Sequence, residues 1–366
     1  MYSQNDLDEA VASGALSAEA AQSLRMFVEQ QRALPGVDEE HFRLITGFND
    51  IFVAIAAAIL LFAVGWIGQS IGQSLGLIID ADGPSPLAPL AIAATAWGLA
   101  LFFTARRRMA LPSIMLLLAF VGAVFATVVF SMAVALGDPG EQETFYVGLI
   151  GSIAGAVATL AAWYHWKRFR VPISVAAGAA AVSAIAIALL IALLGDVEPY
   201  QDIIWGFVLC LGIGLFLFAM RWDSSDPARV TRRSDVAFWL HLLAAPMIVH
   251  PVFTLLGLND GSATIGEGLA VIGLYLVLGV TALAVDRRAL LVSALAYVLY
   301  ALSELFKQVG AVELNIALTA LVIGSALLLL SAFWHQARSI VVRALPEDIR
   351  SKLPNIDRPA SPLPAA

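Results

Sequence analysis

Ten stretches of the chain contain no Asp, Glu, Lys or Arg: 51–79, 83–105, 109–137, 144–166, 171–195, 203–220, 236–259, 268–285, 289–303 and 314–337. A helix needs about 20 apolar residues to cross the hydrocarbon of a bilayer. Nine of the ten runs have 18 residues or more; 289–303 has 15 but continues through Glu304 to Lys307, which can sit at an interface. In lipid, backbone N–H and C=O groups must bond within their own segment, so the runs are expected to be helices. A barrel would show alternating segments of about ten residues, and none appear. Composition points the same way. Of 366 residues, 60% are hydrophobic and 13% charged, against about half and about a quarter in a soluble domain. The fold class expected is all-α: a polytopic bundle of about ten transmembrane helices.

The charges between the runs alternate. One set of connections carries Arg106, Arg107 and Arg108; Lys167, Arg168 and Arg170; Arg221, Arg229, Arg232 and Arg233; and Arg287 and Arg288. With the leading segment and the tail, that side holds 20 of the 21 basic residues, and Lys307 alone falls on the other. The other connections are acidic: Asp80 and Asp82, Asp138 to Glu143, Asp196 to Asp202, Asp260 and Glu267, Glu304 and Glu313. Lys and Arg stay on the cytoplasmic side during insertion. The expectation is therefore both ends inside, in a bacterial cytoplasmic (inner) membrane. Trp163, Tyr164, Trp166, Trp222 and Trp334 lie beside the basic turns as interfacial anchors. The first fifty residues lack the basic start and short apolar core of a cleaved signal peptide, so the first span is expected to direct insertion.

Three regions follow: a cytoplasmic helical leader, 1–49; a transmembrane domain, 50–337; and a basic, Pro-rich cytoplasmic tail, 338–366. In the leader, Ser3 and Asp6 resemble a capping box, Gly14 ends the first helix, Ser17 caps a second, and Pro35-Gly36 closes it. In the tail, Ile340–Leu353 is expected to form one amphipathic helix on the anionic leaflet. Disorder is expected from Pro354 onward. The basic hairpin turns recur 55 to 64 residues apart, as any run of short membrane hairpins would.

Polar groups inside a membrane are costly, so each is a functional candidate. Gln69 and Gln73, His241 and His250, Glu304 and Lys307, and Asn315 form the candidate polar set. His241 and His250 are nine residues apart, which places them about half a turn out of phase on an ideal helix. That disfavours a shared metal, and Pro246 and Pro251 between and beside them are candidates for a helix break lining a cavity. Gly68, Gly72 and Gly76 make two overlapping GxxxG steps, and Gly151 and Gly155 another; small residues let helices approach closely. Lone Cys210 permits no intrachain disulfide. A phosphate-binding GxxxxGK[ST] loop is absent, so no nucleotide motor is indicated. No catalytic, metal or cofactor-binding residue is assigned, and no cofactor or nucleic-acid partner is expected.

The leader LDEAVASGALSAEAAQSL, the long run of membrane helices and basic turns such as VDRRALLVSAL together resemble a family of uncharacterised bacterial polytopic inner-membrane proteins. The resemblance implies a short helical leader ahead of a membrane bundle, and no activity. Ten spans with both ends inside also resemble drug/metabolite exporters built of two five-helix halves. Two functional readings result. One is a non-enzymatic membrane protein that binds a cytoplasmic partner through its leader. The other is a secondary transporter of a small or amphipathic solute. A membrane enzyme acting on lipid-borne substrates is a weaker third. The sequence does not set the oligomeric state.

Overall fold

The structure, a computed structural model, describes residues 11–14, 16–24, 48–79, 83–137, 140, 143–227, 229, 231–257, 265–308, 314–350, 353 and 354. The chain divides into two compact units, Met1–Phe42 with Asp357–Ala366, and Arg43–Ile356. In the first unit Gly14 takes a φ of 75°, a left-handed conformation that suits glycine at the end of a helix. Its N–H donates to the Val11 carbonyl at 3.1 Å. Ser17 then opens a new helix, its Oγ accepting from the Ala20 N–H at 3.1 Å, as an N-cap does. Ser3, Asp6 and Pro35-Gly36 lie outside the described residues.

The second unit is helical, and no strand occurs among the described residues. Its helices are α1 (Phe48–Ser74), α2 (Leu87–Phe103), α3 (Ala110–Leu136), α4 (Glu143–Phe169), α5 (Ile173–Leu194), α6 (Gln201–Ser224), α7 (Arg232–Leu255), α8 (Ile265–Val285), α9 (Ala289–Gln308), α10 (Asn315–Ala332), α11 (Trp334–Arg343) and α12 (Glu347–Arg350). Eight of these are long and apolar enough to cross a membrane. The other two runs read as spans are α2, with 17 residues, and α9, which ends in Glu304 and Lys307. The shortness of α2 has a local cause. Pro84 and Pro86 cannot donate backbone N–H groups, so 83–86 forms a loop folded back on α1 and the helix starts at Leu87.

Lipid is the solvent this surface fits. Along α1 the buried stripe is Asp50, Ala54, Ala57, Leu61, Gly65, Gly68 and Gly72. The exposed stripe carries Phe52, Ile55, Ile59, Phe62 and Trp66. Apart from Asp50 both stripes are apolar, and they differ in side-chain size. A water-soluble helix would hide its large apolar residues; here they face outward and the small ones face in, as expected where van der Waals packing between backbones drives association. This chain is an integral membrane protein by that inversion together with the eight apolar helices.

Neighbouring helices pair in hairpins, and α7 sits at the centre, packed on α5, α6 and α9. Half of its most apolar stretch is buried, against 28% or less for the other candidate spans. The helix runs unbroken through Pro246 and Pro251, so the expected break is not present. Pro251 still removes the N–H that would bond the Met247 carbonyl. Gly212 of α6 packs on that same carbonyl: a Cβ there would stand 2.7 Å from the oxygen.

The tail differs from expectation. Helix α11 stops at Arg343, and a separate short helix begins at Glu347, with Pro346 between them. Pro346 has no N–H to continue the ladder, which ends the single helix expected over 340–353. Trp334, Arg338 and Val342, one helical face at four-residue steps, are buried against the bundle. That face therefore meets protein, not a leaflet.

Candidate functional site

The helix ends Ser224 and Val285 and the helix starts Arg232 and Ala289 lie together at one end of the bundle. Into this junction fold five carboxylate and guanidinium groups, Asp223, Arg229, Asp286, Arg287 and Arg338. Asp223, the last acidic residue of α6, is 1% exposed. Its Oδ1 accepts from Arg287 Nη2 at 2.5 Å, and its Oδ2 lies 3.3 Å from Arg287 Nε and 2.9 Å from His241 Nε2. Two parallel N–H···O contacts make the Arg–carboxylate fork, which fixes direction as well as charge. Arg287 Nη2 also donates to the Ser234 carbonyl at 3.0 Å, and its guanidinium stands 5.9 Å from the Phe238 ring centre. One side chain from the α8–α9 turn thus ties the end of α6 to the start of α7.

A second carboxylate works beside the first. Asp286, at a φ of 58°, accepts from Arg229 Nη1 at 2.8 Å and from Trp334 Nε1 at 2.8 Å. Arg338 Nε is 3.7 Å away. Arg229 Nη2 donates to the carbonyls of Val285 at 3.0 Å and Asp286 at 3.1 Å. Those carbonyls have no partner within α8, so Arg229 caps the helix and places positive charge at its negative end. Arg338 reaches on to the Pro354 carbonyl at 2.6 Å, while Val342 and Leu353 pack on Val285, Phe216 and Met220. The C-terminal segment is thereby fastened to the ends of α6 and α8. Asp226 braces the α6–α7 turn by accepting from Thr231 N at 2.9 Å and Thr231 Oγ1 at 2.7 Å.

The other half of the bundle carries a different buried histidine. His165 of α4 is fully buried, and its Nδ1 lies 3.0 Å from Ser174 Oγ of α5. Trp97, Phe120 and Phe169 surround it with ring centres 6.1, 6.2 and 4.6 Å away. The basic turns on this side remain exposed.

The candidate polar set serves separate local contacts. Gln69 clamps the α1–α2 loop, with Nε2 donating to the Gly83 carbonyl at 2.9 Å and Oε1 accepting from Ser85 N at 2.8 Å. Gln73 is exposed. His241 belongs to the Asp223 junction. His250 pairs through Nδ1 with the Tyr297 hydroxyl of α9, and Trp205 meets its ring edge-on at 4.8 Å. Asn315 Nδ2 donates to Ser303 Oγ at 2.9 Å. Lys307 is exposed, and the side chain of Glu304 lies outside the described residues. The two histidines have different partners, and no group of three or more potential metal ligands occurs among the described residues.

Of the packing glycines, Gly68, Gly151 and Gly155 face neighbouring helices, and Gly72 faces the 83–86 loop. A Cβ at Gly68 would stand 2.5 Å from the Leu87 carbonyl oxygen, one at Gly72 would overlap the Ser85 hydroxyl, and one at Gly155 would stand 2.6 Å from Ile185. Gly151 is looser, with Ala188 at 3.1 Å. Gly76 is different: at a φ of 69° with nothing near it, it terminates α1 and packs on no helix. Gly65 and Gly148, absent from the expected set, join the two stripes. Gly68-Gln69-Ser70-Ile71-Gly72 and Gly72-Gln73-Ser74-Leu75-Gly76 also spell the Gly-x-Ser-x-Gly of a hydrolase nucleophile elbow. That elbow requires a strand-to-helix turn. Here Ser70 and Ser74 both lie in α1, with their hydroxyls donating to the Trp66 and Ile71 carbonyls at 3.1 and 2.7 Å.

Sequence reasoning missed Asp223, Asp226 and Asp286, because it counted carboxylates only on the acidic side. The signal was present: Arg-Trp-Asp-Ser-Ser-Asp and Val-Asp-Arg-Arg place acids beside bases at helix ends. Comparison with protein-family models, with curated proteins and with solved structures gave no match.

Proposed function

We propose that the chain is a non-enzymatic protein of a bacterial cytoplasmic membrane. In this reading α1–α10 are ten spans and both ends are cytoplasmic, and the protein holds its leader, residues 1–49, for a cytoplasmic protein partner. The observation that carries the reading is the charge junction. Asp223, His241 and Arg287 are bonded to one another, and Asp286, Arg229 and Arg338 fasten the C-terminal segment to the same helix ends. The junction braces that end of the bundle. Orientation is supported by the basic residues of alternate connections.

A photocrosslinking residue introduced at Glu19, exposed on the capped leader helix, tests the partner in intact cells. A discrete adduct with one cytoplasmic protein is expected, and adducts with lipid or with this chain alone would overturn the reading. Cysteine labelling at 107 and 140 tests the orientation, and reaction of both from one side would remove it.

Secondary transport is the second reading, and one observation favours it: an Asp–His–Arg cluster buried at the end of three candidate spans. Proteoliposomes with an imposed pH gradient decide between the two. Solute-dependent proton flux lost in His241→Gln would establish transport. Flux absent with the intact chain would leave the first reading standing.

A further inference from the structure

The α2–α3 and α4–α5 turns differ from the junction in presenting their cations to the outside. Arg106, Arg107 and Arg108 on one, and Lys167, Arg168 and Arg170 on the other, are all exposed. Among the described residues none of the six is in an ion pair. The two turns are neighbours: Trp97 of α2 meets Phe169 of α4 at 5.1 Å between ring centres, and Phe103 and Phe169 pack on the same apolar cluster. Four of the cations are held over rings: Arg107 on Phe102, Lys167 on Trp163, Arg168 on Phe169 and Arg170 on Trp166, all at 5.4 to 5.5 Å. Such stacking limits the directions a long side chain samples. Two further groups on these helix ends, Thr104 Oγ1 and His165 Nε2, are buried without a hydrogen-bond partner, an uncommon state for buried polar atoms.

We propose that this rim binds the head of an anionic phospholipid carrying two phosphates, taken from the adjoining leaflet. Two cation triplets on adjacent turns match two phosphates on one head. Guanidinium and ammonium groups satisfy phosphate oxygens by charge-assisted hydrogen bonds. The lipid source follows from what lies beside the cations. Phe102, Trp163 and Tyr164 are exposed, as ring side chains are at headgroup depth. Below them Leu101 and Leu160 present bare apolar surface, along which acyl chains can lie. The inference rests on the membrane assignment and is independent of partner binding or transport.

The test is native mass spectrometry of the full chain released from detergent. It is titrated with a two-phosphate phospholipid, a one-phosphate anionic phospholipid and a zwitterionic one. The two-phosphate lipid is expected to give a retained adduct that the zwitterionic lipid does not, and to be lost at high salt in the unmodified protein. Arg106→Gln with Arg107→Gln and Arg108→Gln, and separately Lys167→Gln with Arg168→Gln and Arg170→Gln, should each weaken it by about tenfold or more. Arg232→Gln with Arg233→Gln, a charge-removing change outside the rim, should leave it unchanged. Equal adducts with all three lipids, or equal loss in the Arg232 and Arg233 variant, would overturn the proposal. So would inorganic diphosphate binding as tightly as the lipid.

Discussion

His165 and His241 are both fully buried on the side of the basic turns, and they are held in contrasting ways. His165 bonds a neutral serine inside a ring of aromatic side chains. His241 bonds a carboxylate that an arginine already holds. The halves around them follow suit. In the first half Arg107, Arg168 and Arg170 lie exposed over aromatic rings; in the second Arg287 and Arg229 turn inward onto Asp223 and Asp286. Four connections on this side contain a non-glycine residue in the left-handed region: Arg108, Arg170, Arg229 and Asp286. The far ends use glycine instead, at Gly76, Gly137, Gly195 and Gly257. A left-handed backbone costs a non-glycine residue about 1–2 kcal/mol. In the second half the buried Arg229–Asp286 pair offsets that strain; among the described residues Arg108 and Arg170 are in no ion pair.

Breaking the comparison begins with Asp223→Ala. It leaves Arg287 and His241 buried without their carboxylate, a loss of about 3–5 kcal/mol that thermal unfolding in detergent should register as a large drop in midpoint. No single substitution of an exposed first-half cation should come near it. Next is the histidine pair. His241→Gln removes a hydrogen bond to a charged group, about 1.5–3 kcal/mol, while Ser174→Ala removes a neutral one from His165, about 1 kcal/mol. Equal shifts in the same melt would show that the two environments are not energetically distinct. The sharpest contrast is between two arginines with the same backbone. Arg229→Gly relieves a φ of 54° but loses three contacts on Asp286 and Val285, so it should destabilise by about 1–3 kcal/mol. Arg170→Gly relieves a φ of 57° at an exposed site and should be neutral or raise stability by up to about 1 kcal/mol. Smallest in effect on the bundle is Ser17→Ala. It should weaken the leader helix by about 1 kcal/mol, visible in hydrogen exchange of residues 18–24 and absent from the bundle.

Much of the site was illegible in one dimension for a definite reason. The glycine stripes of α1 and α4 could be read because side-chain size along a helix face is a local property with a known period. Gly76 shows the limit: its spacing fits the stripe, yet the helix ends two residues before it. The phase of His241 and His250 on one helix could be read because it needs only helix geometry. The partners of those histidines needed more. Asp223 and Arg287 are 64 residues apart, and nothing periodic connects them.

What the amino-acid order determined on its own was the medium and the elements: apolar runs of membrane length, small residues at contact faces, basic turns on one side, caps at Gly14 and Ser17. These follow from transfer energies and backbone sterics that each residue carries wherever it stands. What only the tertiary structure decided was which charges meet, that α7 is the central helix, and that the tail docks through Trp334 and Arg338. Pairing depends on which helix ends are brought within a few ångströms. Coulombic attraction between buried groups then selects partners by distance, whatever their separation along the chain.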